Sequence, residues 1–391
     1  MDIIERIKAY HNSLIDWRHD IHAHPELGFE EKRTSDFVAE KLASFGCEVH
    51  RGIGKTGVVG RLKLGSASRS IGLRADMDAL PIHETNTFAY RSQHDGRMHA
   101  CGHDGHTTML LGAARYLAET RAFNGTVNFI FQPAEEGLGG GDAMVKDGLF
   151  ERFPCDAIFG MHNRPSLAVG KFSIRPGAMM AGGAYFDILV TGRGAHGARP
   201  ESGVDPVVAA SHITTALQTI VSRNVRPIDT AVVSVTQIHA GEAYNVIPQQ
   251  AVLRGTVRAF SKETLTLIET NMRRIASGIA EGLGASAALD FRIVFPPLVN
   301  DAAETAFIAD AAASLVGEEN VNRNGGLTMA SEDFSYMLNA RPGAYIQIGN
   351  GDGAGGCEVH NPGYDFNDAI LPLGASLFVR LVERKLPAVS T

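Results

Sequence analysis

Apolar runs of strand length in the first half of the chain end on acids or imidazoles. Ser70 to Ala75 (SIGLRA) reads as a strand and delivers Asp76 and Asp78 at its carboxyl end. Gly125 to Phe131 (GTVNFIF) reads as another, followed by Gln132, Pro133, Ala134, Glu135 and Glu136. A short buried run, Asp156 to Gly160, leads to Met161 and His162. Helical stretches lie between these runs. Strands alternating with helices imply a largely parallel sheet with helices on both faces. Ligand sites of such sheets lie beyond the carboxyl ends of the strands, where these acids and this imidazole fall. Random polar decoration would not favour strand ends.

The densest chemistry sits between the first two of these strands, in Met98 to His106 (MHACGHDGH). Nine residues hold three imidazoles, one thiol and one carboxylate. That donor set suits a transition metal better than Ca or Mg. The following TTMLLGAARYL reads as a helix, so the cluster lies just before it or in its first turn. This position is expected to lower the pKa of Cys101 toward the thiolate a metal needs. The alternative is a polar loop with one buried cysteine, but His and Cys rarely crowd a loop without a site. His19, His22 and His24 could pass for a second cluster but read as structural or supporting residues. Residues 3 to 21 and Lys32 to Phe45 read as helices, the second stopped by Gly46, and Gly57 to Leu64 as a strand.

From Tyr185 the rhythm changes. Strand AYFDILVTG, a helix from Asp205 to Ser222, strands TAVVSVTQIHAG and AVLRGTVRAF, a helix from Lys262 to Gly282 and strand SAALDFRIVF follow. That β-α-β-β-α-β order is ferredoxin-like. After Pro296-Pro297 the first rhythm resumes, with a helix over 302–316, strand GAYIQIGN and a final helix from Asp368 to about Glu383. The expected fold is therefore α/β with two domains. A catalytic domain with a mostly parallel central sheet covers 1–184 and 297–391, and a ferredoxin-like α+β domain is inserted at 185–296. A chain of 391 residues has room for both.

A net charge of −7 argues against a nucleic-acid partner. No apolar run reaches the roughly 18 residues of a membrane span, so no membrane partner is expected. The N-terminal stretch lacks the basic start and apolar middle of a signal peptide. The four cysteines, Cys47, Cys101, Cys155 and Cys357, show no framework spacing. A reducing, cytoplasmic compartment is expected.

A dinuclear site needs several donors, at least one able to bridge two ions. Cys101, His103, Glu136, His162 and a late histidine, His360 in CEVHNPGYDF, are the candidates. The pair Glu135-Glu136 suggests a division of labour, one carboxylate on metal and one free to carry a proton. Adjacent glutamates on a regular element point apart. These two instead follow an apolar strand and precede the glycine-rich GLGGG, which favours a functional turn.

The segments DWRHDIHAHPELGFEE, LRADMDALPIHE, MHACGHDGHTTMLLGAA, FQPAEEG, GMHNRP, GAHGARPESGVDPV, NVIP, GTVRAF, MASEDFSYM and VHNPGYDF run in order from residue 16 to 368. Together they resemble the amidohydrolase branch of the M20 metallopeptidases, which includes hippurate hydrolases, N-acyl-amino-acid deacetylases and auxin-conjugate hydrolases. The resemblance implies two divalent ions (Zn, Mn, Co or Ni) on Cys101, His103, Glu136, His162 and His360, with the Cys101 sulfur as bridge. It makes Glu135 the general base and acid, and Asp78 the residue that orients a metal-binding histidine. His196, in GAHGARP, would stabilise the tetrahedral oxyanion once the lid closes, with Pro296-Pro297 at one end of the hinge. Asn245 and Arg258 would hold the substrate, Arg258 by pairing with its carboxylate. Asp76 stands where other M20 branches carry a histidine ligand and is left out of the metal set. Glu332 and Asp333, in SEDF, read equally as helix-capping or as substrate-contacting residues.

The implied reaction is hydrolysis of the amide bond of a small N-acyl amino acid to a carboxylate and a free amino acid, by a homodimer or homotetramer. A dipeptidase, or a hydrolase of another small amide or C–N bond, is the alternative at the same site. A metal-binding protein without catalysis is disfavoured by the presence of Glu135. A Cys101 nucleophile would survive chelation, unlike a metal enzyme.

Overall fold

The computed structural model describes residues 3–351 and 357–388. The chain opens with α1 (Ile3–Lys8), α2 (His11–Ala23) and α3 (Lys32–Ser44), then β1 (Glu48–Ile53) and β2 (Gly57–Leu64). There follow β3 (Ser70–Asp76), α4 (His103–Thr120), β4 (Gly125–Gln132), α5 (Gly140–Lys146), α6 (Leu149–Arg152), β5 (Ala157–Arg164), β6 (Phe172–Ser173) and β7 (Gly177–Met180). The middle of the chain forms β8 (Gly182–Thr191), β9 (Ala195–His196), α7 (Pro206–Thr219), β10 (Ala231–Ala240), β11 (Val246–Ile247), β12 (Gln250–Ala259), α8 (Lys262–Gly282) and β13 (Ser286–Phe295). The last elements are β14 (Leu298–Asn300), α9 (Ala302–Val316), β15 (Val321–Asn322), α10 (Phe334–Ala340), β16 (Gly343–Gly349) and α11 (Leu371–Lys385).

Two compact units result. The first comprises Met1–Met179, Val299–Gly326 and Asp333–Thr391; the second comprises Met180–Leu298 and Leu327–Glu332. The first unit is built on an eight-stranded sheet in the order β1-β2-β4-β3-β5-β16-β6-β15. Its centre, β4-β3-β5-β16, is parallel throughout. The flanks β1-β2-β4 and β16-β6 are antiparallel. Every residue of β3 and β4 is buried, as expected for central strands covered on both faces. Helix α4 is nearly as buried: Met109, Leu110, Leu111, Ala113 and Ala114 are inaccessible to solvent and join one core with Leu14 of α2 and Ala375 of α11.

The second unit carries an antiparallel sheet in the order β10-β12-β8-β13, with the β-α-β-β-α-β chain order seen in the sequence. Strand β8 alternates, placing Ala184, Phe186, Ile188 and Val190 in a core shared with Ile213 and Leu217 of α7 and Ile268 and Met272 of α8. Helix α7 begins as its sequence dictates. Asp205 Oδ1 accepts from the Val207 amide at 2.8 Å, and Pro206 occupies the first turn.

The structure departs from the sequence reading in several places, beginning with the second unit, which starts at Met180 and takes in Leu327–Glu332 from the stretch given to the catalytic domain. The first helix is broken into α1 and α2 at Ala9-Tyr10. Strand β1 was not legible, because most of it is solvent-exposed at a sheet edge. Helix α4 starts at His103, earlier than its apolar run, so half of the His/Cys cluster lies on it. Strand β5 continues through His162 to Arg164, because β16 pairs with it along that length.

Candidate metal centre

The turn after β4 resolves the problem of adjacent glutamates. Ala134 takes a left-handed backbone, φ 51°, which a non-glycine residue adopts only when its surroundings hold it. The holder is Glu31, itself buried. One of its carboxylate oxygens accepts from the Ala134 amide at 2.8 Å, and the other accepts from the Thr56 hydroxyl at 2.6 Å. Burial pushes the Glu31 carboxyl up to about 7, against the Thr56 hydrogen bond. Beyond this turn Glu135 and Glu136 both fall within ligand reach of His103, each offering an oxygen within 4.8 Å of its ring nitrogen.

Asp78, just past β3, ties two candidates together. His103 Nδ1 lies 2.8 Å from the Asp78 carbonyl and 3.1 Å from its Oδ1, and the Glu136 amide donates to Asp78 Oδ2 at 2.9 Å. With Nδ1 so occupied, His103 Nε2 is left buried without a hydrogen-bond partner. His162 Nδ1 donates to the Asn163 carbonyl at 2.6 Å, leaving its Nε2 3.3 Å from Cys101 Sγ. His360, on the loop after β16, also has a left-handed backbone, φ 67°. Its Nε2 sits 3.3 Å from Cys101 Sγ and 3.2 Å from Glu136 Oε1. Two ligand triads, Cys101–His103–His162 and Cys101–Glu136–His360, therefore share the Cys101 sulfur.

The electrostatics of this cluster call for cations. Hydrogen bonds to Cys101 and Glu136 raise the His360 imidazole to about 10. His103 is raised despite its burial, by the charges of Asp76 and Cys101. His162 is pushed down by burial and by His106, keeping it the neutral imidazole a metal needs. The expected lowering of the Cys101 thiol is not found. Burial raises it, Glu136 adds to that, and both outweigh the lowering by His103 and His360. The orphaned Nε2 of His103 and the imidazole–thiol–carboxylate donor set fit divalent ions.

Asp76 is drawn into the same region. Its Oδ1 accepts from His106 Nδ1 at 2.6 Å, its Oδ2 accepts from Arg74 at 2.8 Å, and His103 Nε2 lies 3.7 Å away. Asp76, His103 and His106 form a further buried triad of possible ligands that the sequence reading did not single out. Asp333 proves to be a buried anchor at the start of α10. It accepts from Gln132, Arg74 and the Gly141 amide, and its own amide donates to Glu135 Oε1 at 3.4 Å. His22, isolated in sequence, is held in space by Asp104 at 2.8 Å and Glu84 at 3.2 Å.

The other candidates belong to the second unit. His196 pairs with Val246 in the two-stranded antiparallel ladder of β9 and β11 and is exposed, and the Ala198 amide donates to its Nδ1 at 3.1 Å. Asn245 is also exposed, and its carbonyl accepts from the Gly197 amide at 2.7 Å, which brings the two segments side by side. Arg258 is half-buried on β12 and donates to the Val257 carbonyl at 2.9 Å and to the Thr256 hydroxyl.

A mostly parallel α/β sheet whose carboxyl edge gathers a thiol, imidazoles and carboxylates defines a metallohydrolase-like protein. The chain belongs to peptidase family M20/M25/M40, whose pattern matches residues 72–384. It is 46% identical over 386 residues to a hippurate hydrolase of Campylobacter jejuni subsp. jejuni, covering 99% of this chain and 100% of that one. It is 39% identical over 376 residues to an N-acetylcysteine deacetylase of Bacillus subtilis, covering 96% and 97%. A Bacillus subtilis crystal structure, described as a dinuclear metal-binding peptidase of the M20 family, matches with a TM-score of 0.85 at 36% identity. That match covers 97% of this chain and 99% of that one.

Proposed function

We propose that this chain is a metal-dependent amidohydrolase that cleaves the amide bond of N-acyl amino acids, of hippurate or N-acetyl type. The observation that carries this reading is the pair of ligand triads sharing Cys101, with Glu135 on the same turn as Glu136. Cys101, His103, Glu136, His162 and His360 would hold two divalent ions, Zn, Mn, Co or Ni. Such ions supply Lewis acidity to the scissile carbonyl and acidify water toward neutral pH.

Glu135, buried beside that set, takes the proton of the attacking water and passes it to the leaving nitrogen. Asp78 fixes the His103 tautomer, so that Nε2 is the free donor. His196 donates to the developing oxyanion, Asn245 orients the substrate, and Arg258 takes its carboxylate. The second unit is assigned the role of lid and dimerisation module, in a homodimer or homotetramer. Among the described residues no helix is long and apolar enough to cross a membrane, and a cytoplasmic location is assigned.

The test is amine release from a panel of N-acyl amino acids that includes N-benzoylglycine, with added Mn²⁺ or Zn²⁺ and again after chelation. Release abolished by chelator and restored by metal is expected. Release that survives chelation, or its absence across the panel from protein holding two ions, overturns the reading. Release only from substrates with a free amino group would move the assignment to a dipeptidase.

A further inference from the structure

One buried residue that the proposed chemistry does not use touches the segments carrying Cys101, His103, His162 and His360. Asn163 follows His162 on β5 and is 3% exposed. Its Nδ2 donates to the Cys101 carbonyl at 2.7 Å, and its Oδ1 accepts from the Tyr364 hydroxyl at 2.6 Å. Its amide donates to His106 Nε2 at 3.0 Å, while its carbonyl accepts from His162 Nδ1. His106 Nδ1 in turn donates to Asp76. One residue thus joins the end of β5, the Cys101 turn, the first turn of α4 and the loop that carries His360.

Gly102 makes room for this junction. It has a left-handed backbone, φ 93°, and a Cβ there would lie 2.3 Å from Asn163 Nδ2 and 2.8 Å from the Tyr364 oxygen. The amide therefore occupies the space that a side chain at 102 would fill, next in the chain to the candidate bridging thiol.

We infer that Asn163 is a positioning residue that sets the placement of the Cys101 sulfur relative to the imidazoles of His162 and His360. The inference rests on the metal-site reading above. It needs a carboxamide specifically. Cys101 O and His106 Nε2 are both acceptors facing Nδ2, which lies 3.1 Å from the latter, whereas Tyr364 is a donor facing Oδ1. Asn163→Asp would set an acceptor against two acceptors while keeping the volume. Tyr364→Phe removes one hydrogen bond and leaves the ring in place.

The test is a Co²⁺ titration of wild type, Asn163→Asp and Tyr364→Phe. It is read by the thiolate-to-cobalt charge-transfer absorption, with thermal melting of the metal-free proteins alongside. Wild type that binds fewer than two ions, or that shows no thiolate band, refutes the metal-site reading, and this inference falls with it. With wild type behaving as assigned, Asn163→Asp is expected to bind ~10–100-fold more weakly and with a shifted band, the range typical of residues behind metal ligands. Wild-type affinity and band in that variant, with only a lower melting temperature, make Asn163 a packing residue and overturn the inference. If Asn163→Asp does not fold, Tyr364→Phe decides: severalfold weaker binding with a shifted band supports the assignment, and an unchanged titration overturns it.

Discussion

The two units place their candidate residues in opposite ways. In the first unit, Cys101 and His103 are buried, and His103, Glu136 and His162 are fixed by Asp78 or Asn163, partners tens of residues distant or next door on a central strand. In the second unit, His196 and Asn245 are exposed on and beside a two-stranded ladder of two residues per strand, held by backbone contacts between its two segments. The first arrangement is preorganised, since its donors carry orphaned atoms and shifted protonation before any ligand arrives. The second, made of exposed side chains, costs the fold little to change. Substitutions in the two regions should therefore separate chemistry from stability differently.

The largest effect is expected at Glu135. Glu135→Gln removes the proton carrier without changing shape, so kcat should fall ~10²–10⁴-fold. Metal analysis of the purified variant should still find two ions, because the Cys101-centred triads do not include Glu135. Near-normal turnover would remove Glu135 from the mechanism, and loss of ions would make it a ligand. His196→Ala comes next. Loss of one oxyanion donor predicts a kcat lower by ~10²–10³-fold. Metal content should stay at two ions, and stability should stay within about 0.5 kcal/mol, as for an exposed side chain. Parallel loss of metal and turnover would contradict the contrast between the units.

The same contrast explains what the sequence made legible. The carboxyl-edge placement of Asp76, Asp78 and Glu135 followed from strand length and apolar runs, which are local signals. The ferredoxin-like order of the second unit followed for the same reason. The left-handed Ala134 that turns Glu135 and Glu136 toward His103 had no local signal, because its cause is Glu31, more than a hundred residues earlier in the chain. Asn163 stood inside a recognised segment, but its partners Cys101 and Tyr364 meet it only in the folded chain. The Cys101 thiol was misjudged because helix position is readable in a sequence and complete burial is not.

The smallest effect on turnover, and a sharp check on the first unit's buried network, concerns His22. Burial opposes its protonation, but hydrogen bonds to Asp104 and Glu84 outweigh it and raise the imidazole to about 9. The groups facing it include the Arg18 guanidinium, which lowers it, and the rings of His99, Phe88 and Tyr90. An imidazole near 6.5 when unfolded and near 9 when folded binds its proton more tightly in the native state. Its stabilisation is therefore fully present below pH ~6.5 and is lost as pH rises toward 9, by roughly a few kcal/mol. Denaturant unfolding of metal-free wild type from pH 6 to 9.5 should show that decline, and His22→Gln should flatten it. Equal slopes would mean that Asp104 and Glu84 do not hold His22 as a cation. The pH dependence of the first unit would then have to come from the site itself rather than from the network beneath it.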